Sequence, residues 1–169
     1  MKRCRQRRCN RRGAVAVEFA LVLVPLLMLV TGVAEFGRAI YQYNALAKST
    51  RDAARFLSQY APTEPNYPVD QAKCMAVYGK TTCSGSALVN GLSTSMVVVC
   101  DRVDSSGCAG KQFANVAIYE GGGSSGTPAG TINLVAVKIS GFTYSPMQSY
   151  LNVGALAFSD ITTVMRQVL

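Results

Sequence analysis

Twenty-one consecutive residues, Ala14 to Ala34 (AVAVEFALVLVPLLMLVTGVA), contain a single ionisable side chain, Glu18. As a helix rising about 1.5 Å per residue, they span about 31 Å, close to the roughly 30 Å hydrocarbon layer of a bilayer. In a chain of 169 residues this leaves room for a membrane-crossing helix and one further domain. Pro25 falls inside the segment and is expected to bend the helix without ending it. Glu18 is the anomaly. A charge at bilayer depth costs a few kcal/mol or more, so an ionisable residue there is a functional candidate whose partner must be identified.

The formal charge of +8 is unevenly spread. Seven of the 17 basic residues (Lys2, Arg3, Arg5, Arg7, Arg8, Arg11 and Arg12) precede the apolar segment, leaving ten against nine acidic ones in the rest of the chain. An arginine-rich arm can grip nucleic acid through phosphates. Directly before an apolar helix, however, positive charge holds that end in the cytoplasm. Arg38, Lys48 and Arg51 beyond the helix are sparser and interspersed with acids. The expected arrangement is therefore a cytoplasmic N-terminus, an extracytoplasmic body and no nucleic-acid partner.

Helical periodicity continues past the apolar segment. Phe36, Ala39, Ile40, Tyr43, Leu46, Ala47, Thr50, Ala53, Ala54 and Leu57 follow the i, i+3, i+4, i+7 spacing of one face. One helix is thus expected over residues 14–58, apolar all round in 14–34 and amphipathic after. It is either an anchor followed by a surface helix, or a stalk whose second half packs on a head. Pro62, Pro65 and Pro68 end it, making 59–68 a linker. The remainder, 69–169, reads as α+β with a small antiparallel sheet. Val69 to Tyr78 suits a short helix. SMVVVCDRV, NVAIYE, TINLVAVKISGFTY and LAFSDITTVMRQVL suit strands, the last with helix as the alternative, and GGGSSGTPAG a flexible hairpin or loop. In the third strand Ile132, Leu134, Ala136 and Lys138 face one way, and Asn133, Val135, Val137 and Ile139 the other.

Cys4 and Cys9 lie in the basic leader, residues 1–13, and are expected to stay reduced. Cys74, Cys83, Cys100 and Cys108 lie in the body. Outside the cytoplasm these four can form disulfides. Three connectivities are open; Cys74–Cys83 with Cys100–Cys108 is favoured because each pair closes a short, glycine-containing loop. Zinc is disfavoured, since the chain has no histidine and no C-x(2–4)-C pair within the body. The lack of histidine also excludes Ser–His and Cys–His nucleophile systems. The nine acidic residues are scattered, and the glycine-rich run lacks a phosphate-loop pattern. A Ser–Lys arrangement stays open, without positive support. No enzyme activity, catalytic residue, cofactor, metal or small-molecule substrate is expected.

The stretch RRGAVAVEFALVLVPLLMLVTGVAEFGRAIYQYNALAKSTRDAARFLS, residues 11–58, resembles the TadE-like family, minor pilins or pseudopilins of the tight-adherence (Flp) branch of type IV pili. Its motif is Gly13, four small or apolar residues, Glu18 and the aromatic Phe19, after a basic leader and at the head of the apolar helix. INLVAVKISGFTYSPM is similar to the strand and proline-containing turn late in such proteins. The resemblance implies a type IV pilin-like fold and cleavage between Gly13 and Ala14 by a membrane prepilin peptidase. It also implies a single-pass protein of the bacterial inner membrane with its head outside. Its partners would be the membrane, that peptidase, other pilins and the assembly machinery. Glu18 would become the fifth mature residue and meet the α-amine of a neighbouring subunit. Pairing relieves much of the penalty that either buried charge would incur alone, and can fix register.

Two rival readings make different N-termini. A secreted binding domain cut by signal peptidase after Ala34 would begin at Glu35, although the apolar segment exceeds the usual 7–15 residues of a signal peptide. A plain single-span anchored binding protein would keep its leader.

Overall fold

The apolar and amphipathic segments form one helix, α1 (Arg11–Leu57), which runs unbroken through Pro25. The computed structural model describes residues 11–122, 125–147 and 156–168. The expectations for residues 1–10, including Cys4 and Cys9, and for Gly123 and Ser124 of the glycine-rich stretch lie outside these. α1 starts three residues before Ala14, so Gly13 is helical. In its first half the large apolar side chains from Val15 to Val33 are exposed, except for the partly covered Leu23. The Thr31 hydroxyl turns back on the helix to the carbonyls of Leu27 (2.8 Å) and Met28 (3.0 Å), so it presents no unsatisfied donor to an apolar surrounding. α1 is long and apolar enough to cross a membrane.

The second half of α1 is covered by the body. Leu46, Ala53, Ala54 and Leu57 enter a core completed by Ala72, Ala76 and Val77 of α2 (Val69–Tyr78) and by sheet residues. α2 ends where Gly79 adopts a left-handed conformation (φ 70°) and its N–H bonds the Met75 carbonyl, a conformation that favours glycine. The sheet has three antiparallel strands in the order β1 (Val97–Cys100), β4 (Leu134–Ile139), β7 (Ile161–Arg166). Val97 pairs Ile139, and Ile139 pairs Ile161. β2 (Val116–Tyr119) and β3 (Pro128–Ile132) form a hairpin, and β5 (Thr143–Tyr144) pairs β6 (Leu156–Ala157). The class is α+β, a long N-terminal helix followed by a small antiparallel sheet.

The alternation in β4 is as expected: Val135, Val137 and Ile139 pack in the core with α1, while Ala136 is buried on the other face with Cys100, Cys108 and Phe113. The strand expected over 131–144 is instead three. At Asn133 the chain leaves the β2–β3 hairpin for the larger sheet; its side-chain carbonyl accepts from Asn115 N–H (3.1 Å) and its backbone carbonyl from Gln167 N–H (2.8 Å). The final strand is likewise interrupted, with Phe158 to Asp160 between β6 and β7. The buried face of α1 also differs from its expected composition. Phe36 (67% exposed) and Ile40 (46%) lie outside the core, whereas Glu35 is buried (8%).

Candidate functional site

Gly13, Ala14, Glu18 and Phe19 all lie on the exposed first turns of α1. A side chain at Gly13 would meet nothing within 4 Å, so its absence is not required by packing within the chain. One turn and a half further on, Glu18 is exposed amid Val15, Val17, Phe19 and Leu21. Among the described residues no side chain of the same chain meets its carboxylate. A carboxylate surrounded by apolar side chains on a helix with no covering element is costly in a bilayer and must find its counter-charge elsewhere.

A second carboxylate, Glu35, stands immediately after the apolar segment, and the sequence reading did not single it out. It is buried. One oxygen accepts a short hydrogen bond from the Tyr144 hydroxyl, which also lies 3.4 Å from the Glu35 carbonyl; the other accepts from Met147 N–H at 2.7 Å. Burial pushes the Tyr144 hydroxyl above its ordinary range, reinforced by its bond to Glu35 and by that residue's charge; nearby Arg38 acts the other way. Tyr144 is held in turn by Phe158, whose ring packs edge-on to Tyr43 of α1 (centroids 5.7 Å). The available signal was the stripe Glu35, Ala39, Leu46, Thr50, Ala53, Leu57, which has helical spacing and carries a carboxylate at its foot.

At the far end of α1 the contacts are polar. Gln167 donates to the Tyr60 carbonyl (2.9 Å), Val168 N–H to the Ser58 carbonyl (2.9 Å), and Arg102 to Thr63 Oγ1 (3.3 Å). The half-buried Tyr67 hydroxyl is raised well above its ordinary range, first by burial and then by the charge of Asp101. Midway, Thr50 and Thr163 join α1 to β7 through their hydroxyls (3.0 Å).

The disulfides join Cys74 to Cys83 (Cα–Cα 4.8 Å) and Cys100 to Cys108 (6.2 Å). Beside the second lies a groove of about 490 Å³ bordered by Ser106, Gly107, Lys111, Lys138 and Asp160. Three of its polar side chains are engaged. Lys138 Nζ donates to the Gly107 carbonyl (2.9 Å) and lies 3.4 Å from Asp160. Ser106 gives both its hydroxyl (2.7 Å) and its N–H (3.0 Å) to Asp104, and the hydroxyl first and then the N–H hold that carboxyl below its usual range. Lys138 is thus engaged by Gly107 and Asp160, and the Ser106 hydroxyl by Asp104. Among the described residues no three acidic or cysteine side chains converge as metal ligands.

Residues 13–55 match the model of a protein family described as TadE-like protein. The match lies wholly within α1 and covers both carboxylates, Glu18 and Glu35, and all but the ends of the 11–58 stretch that carries the resemblance. A TadE-like segment implies a protein associated with the Tad pilus that bears an N-terminal apolar helix. No curated protein and no solved structure matches the chain.

Proposed function

We propose that this chain is a minor pilin or pseudopilin of a tight-adherence pilus, anchored by residues 14–34 in the inner membrane with its head outside. A prepilin peptidase cuts it between Gly13 and Ala14, and Glu18 then pairs with the new α-amine of an adjacent subunit. The protein acts by assembly and not by catalysis. The observation that carries this reading is the bare first half of α1 with one carboxylate in it, on a segment that matches the TadE-like family.

The place of Glu35 favours this over release by signal peptidase: a cut after Ala34 would make it the N-terminal residue, yet it is committed to Tyr144 and Met147. N-terminal sequencing of the membrane-extracted protein tests the proposal. Ala14 is the expected first residue; Glu35 would indicate a signal-peptide product, and a retained leader an uncleaved anchor. Gly13→Val puts a branched side chain where the peptidase must accommodate the backbone, and should leave a longer product in the membrane. Migration of that variant as the short form would overturn the cleavage assignment.

A further inference from the structure

The two disulfides differ in what surrounds them. Cys100 and Cys108 are both buried (0% and 7% exposed) and pack with Phe113 and Ala136. Cys74 is buried on α2, but its partner Cys83 is exposed, as is every residue from Gly79 to Ser86. Cys74 also stands outside both apolar clusters of the body. The loop between Cys74 and Cys83 is held at both ends by other means. The Gly79 N–H bonds the Met75 carbonyl (2.9 Å), the Leu88 N–H bonds the Val77 carbonyl (2.8 Å), and Val89 lies in the core. Residues 79–88 carry one cation, Lys80, and no acid, so the loop does not repel an approaching anion.

We propose that Cys74–Cys83 is a site of thiol–disulfide exchange, opened at Cys83 by an external dithiol while Cys100–Cys108 stays closed and the head stays folded. Exchange begins when a thiolate attacks one sulfur of the bond, and access selects that sulfur. The attacking thiolate joins Cys83 Sγ, the Cys74–Cys83 bond breaks, and the Cys74 sulfur leaves as a thiolate that takes a proton from water. The second thiolate of the reagent then attacks the reagent's own sulfur in the mixed disulfide. Cys83 departs as a thiolate and is protonated in turn. The protein disulfide has gained two electrons and two protons, and the dithiol, having lost them, is a disulfide. The same reaction at Cys100–Cys108 needs the fold to open first, because both of its cysteines are buried. Opening Cys74–Cys83 leaves Ala72, Ala76 and Val77 of α2 in the core. It also leaves both ends of the loop tethered, so the cysteines stay neighbours and the step is reversible. The exchange concerns the body alone and holds whatever the role of α1.

The test uses the full chain, folded in detergent, with Cys4→Ser and Cys9→Ser so that every new thiol belongs to the body. It is treated with dithiothreitol at mildly alkaline pH, below its thermal transition. Samples are quenched in acid, alkylated with N-ethylmaleimide and mapped by mass spectrometry. Cys74 and Cys83 should become alkylated at a rate proportional to the dithiothreitol concentration, with unchanged circular dichroism. Cys100 and Cys108 should follow at least about tenfold more slowly, the factor that an opening free energy of about 1.4 kcal/mol imposes. With the monothiol glutathione, the adduct should sit on Cys83 and the free thiol at Cys74. Equal rates for the two pairs, faster opening of Cys100–Cys108, or no opening of either would overturn the proposal. A glutathione adduct on Cys74 would overturn the assignment of Cys83 as the point of attack. Loss of circular dichroism in step with the opening of Cys74–Cys83 would show that this disulfide holds the fold, which also overturns it.

Discussion

Glu18 and Glu35 are two carboxylates on one helix, and their surroundings give them opposite tasks. Glu35 is satisfied inside the chain by a phenol and a backbone N–H. Glu18 meets no described side chain of its own chain, so under the proposed function its partner is a neighbour's α-amine. Glu18→Leu should therefore stay in the membrane and still be cleaved, because the cut lies five residues upstream. What it should lose is crosslinking to partner pilins, because stranding one member of a buried pair costs about 3–5 kcal/mol. Normal crosslinking by the cleaved variant would end that role. Gly107 is constrained by space. A Cβ there would lie 2.2 Å from Val98 Cγ1 and 3.8 Å from Cys100 Sγ. Valine has no flexible end to swing away, so Gly107→Ala should lower stability by roughly 1–3 kcal/mol, read as an earlier thermal unfolding of the purified protein. An unchanged transition would show that the loop moves freely from β1.

At the scale of elements, the head is joined to α1 along the whole of the helix's second half: through the Glu35 hydrogen bonds at its foot, Thr50 to Thr163 midway, and Gln167 and Val168 beyond its end. The small sheet is reinforced covalently. Cys100–Cys108 fastens the end of β1 to the short loop that borders the groove and roofs Ala136 and Phe113. A loop of this length contributes about 2–3 kcal/mol through the entropy it removes from the unfolded chain. Cys100→Ser with Cys108→Ser should lose about that much, and dithiothreitol should destabilise the native protein by more than the variant. Equal stability of variant and native protein under oxidising conditions would refute the contribution. The helices and most strand positions were legible beforehand because periodicity and β-branching act locally. The break at Asn133 was not legible. The alternating pattern runs straight through it, and only the hydrogen bonds from Asn115 and Gln167, both distant in sequence, mark the change of sheet.

At the scale of the whole molecule, two tyrosines lie at opposite ends of the contact between helix and head, Tyr144 at the foot and Tyr67 beyond the top. Both hydroxyls are held above their ordinary values in the folded protein, chiefly by burial. A raised folded value means that the stabilising contribution is fully present below the unfolded value near pH 10 and is lost as pH rises through the folded one. The protein should therefore unfold in strong alkali, with two tyrosines ionising together with the loss of structure and not before it. Tyr67→Phe with Tyr144→Phe should make stability less dependent on pH in that range, as followed by circular dichroism beside the phenolate absorbance. Ionisation of every tyrosine before any structural change would contradict this. The sequence by itself determined that the chain carries a membrane-length helix with a carboxylate in it, that the helix continues as an amphipathic one, and that an α+β body with four pairable cysteines follows. These properties depend on residues near one another in the chain. Which stripe of the second half of α1 is buried was decided only by tertiary structure. The stripes led by Phe36 and by Glu35 overlap and share one helical period, so periodicity cannot choose between them. Tyr144, 109 residues away, arrives above Glu35 and buries it, leaving Phe36 exposed.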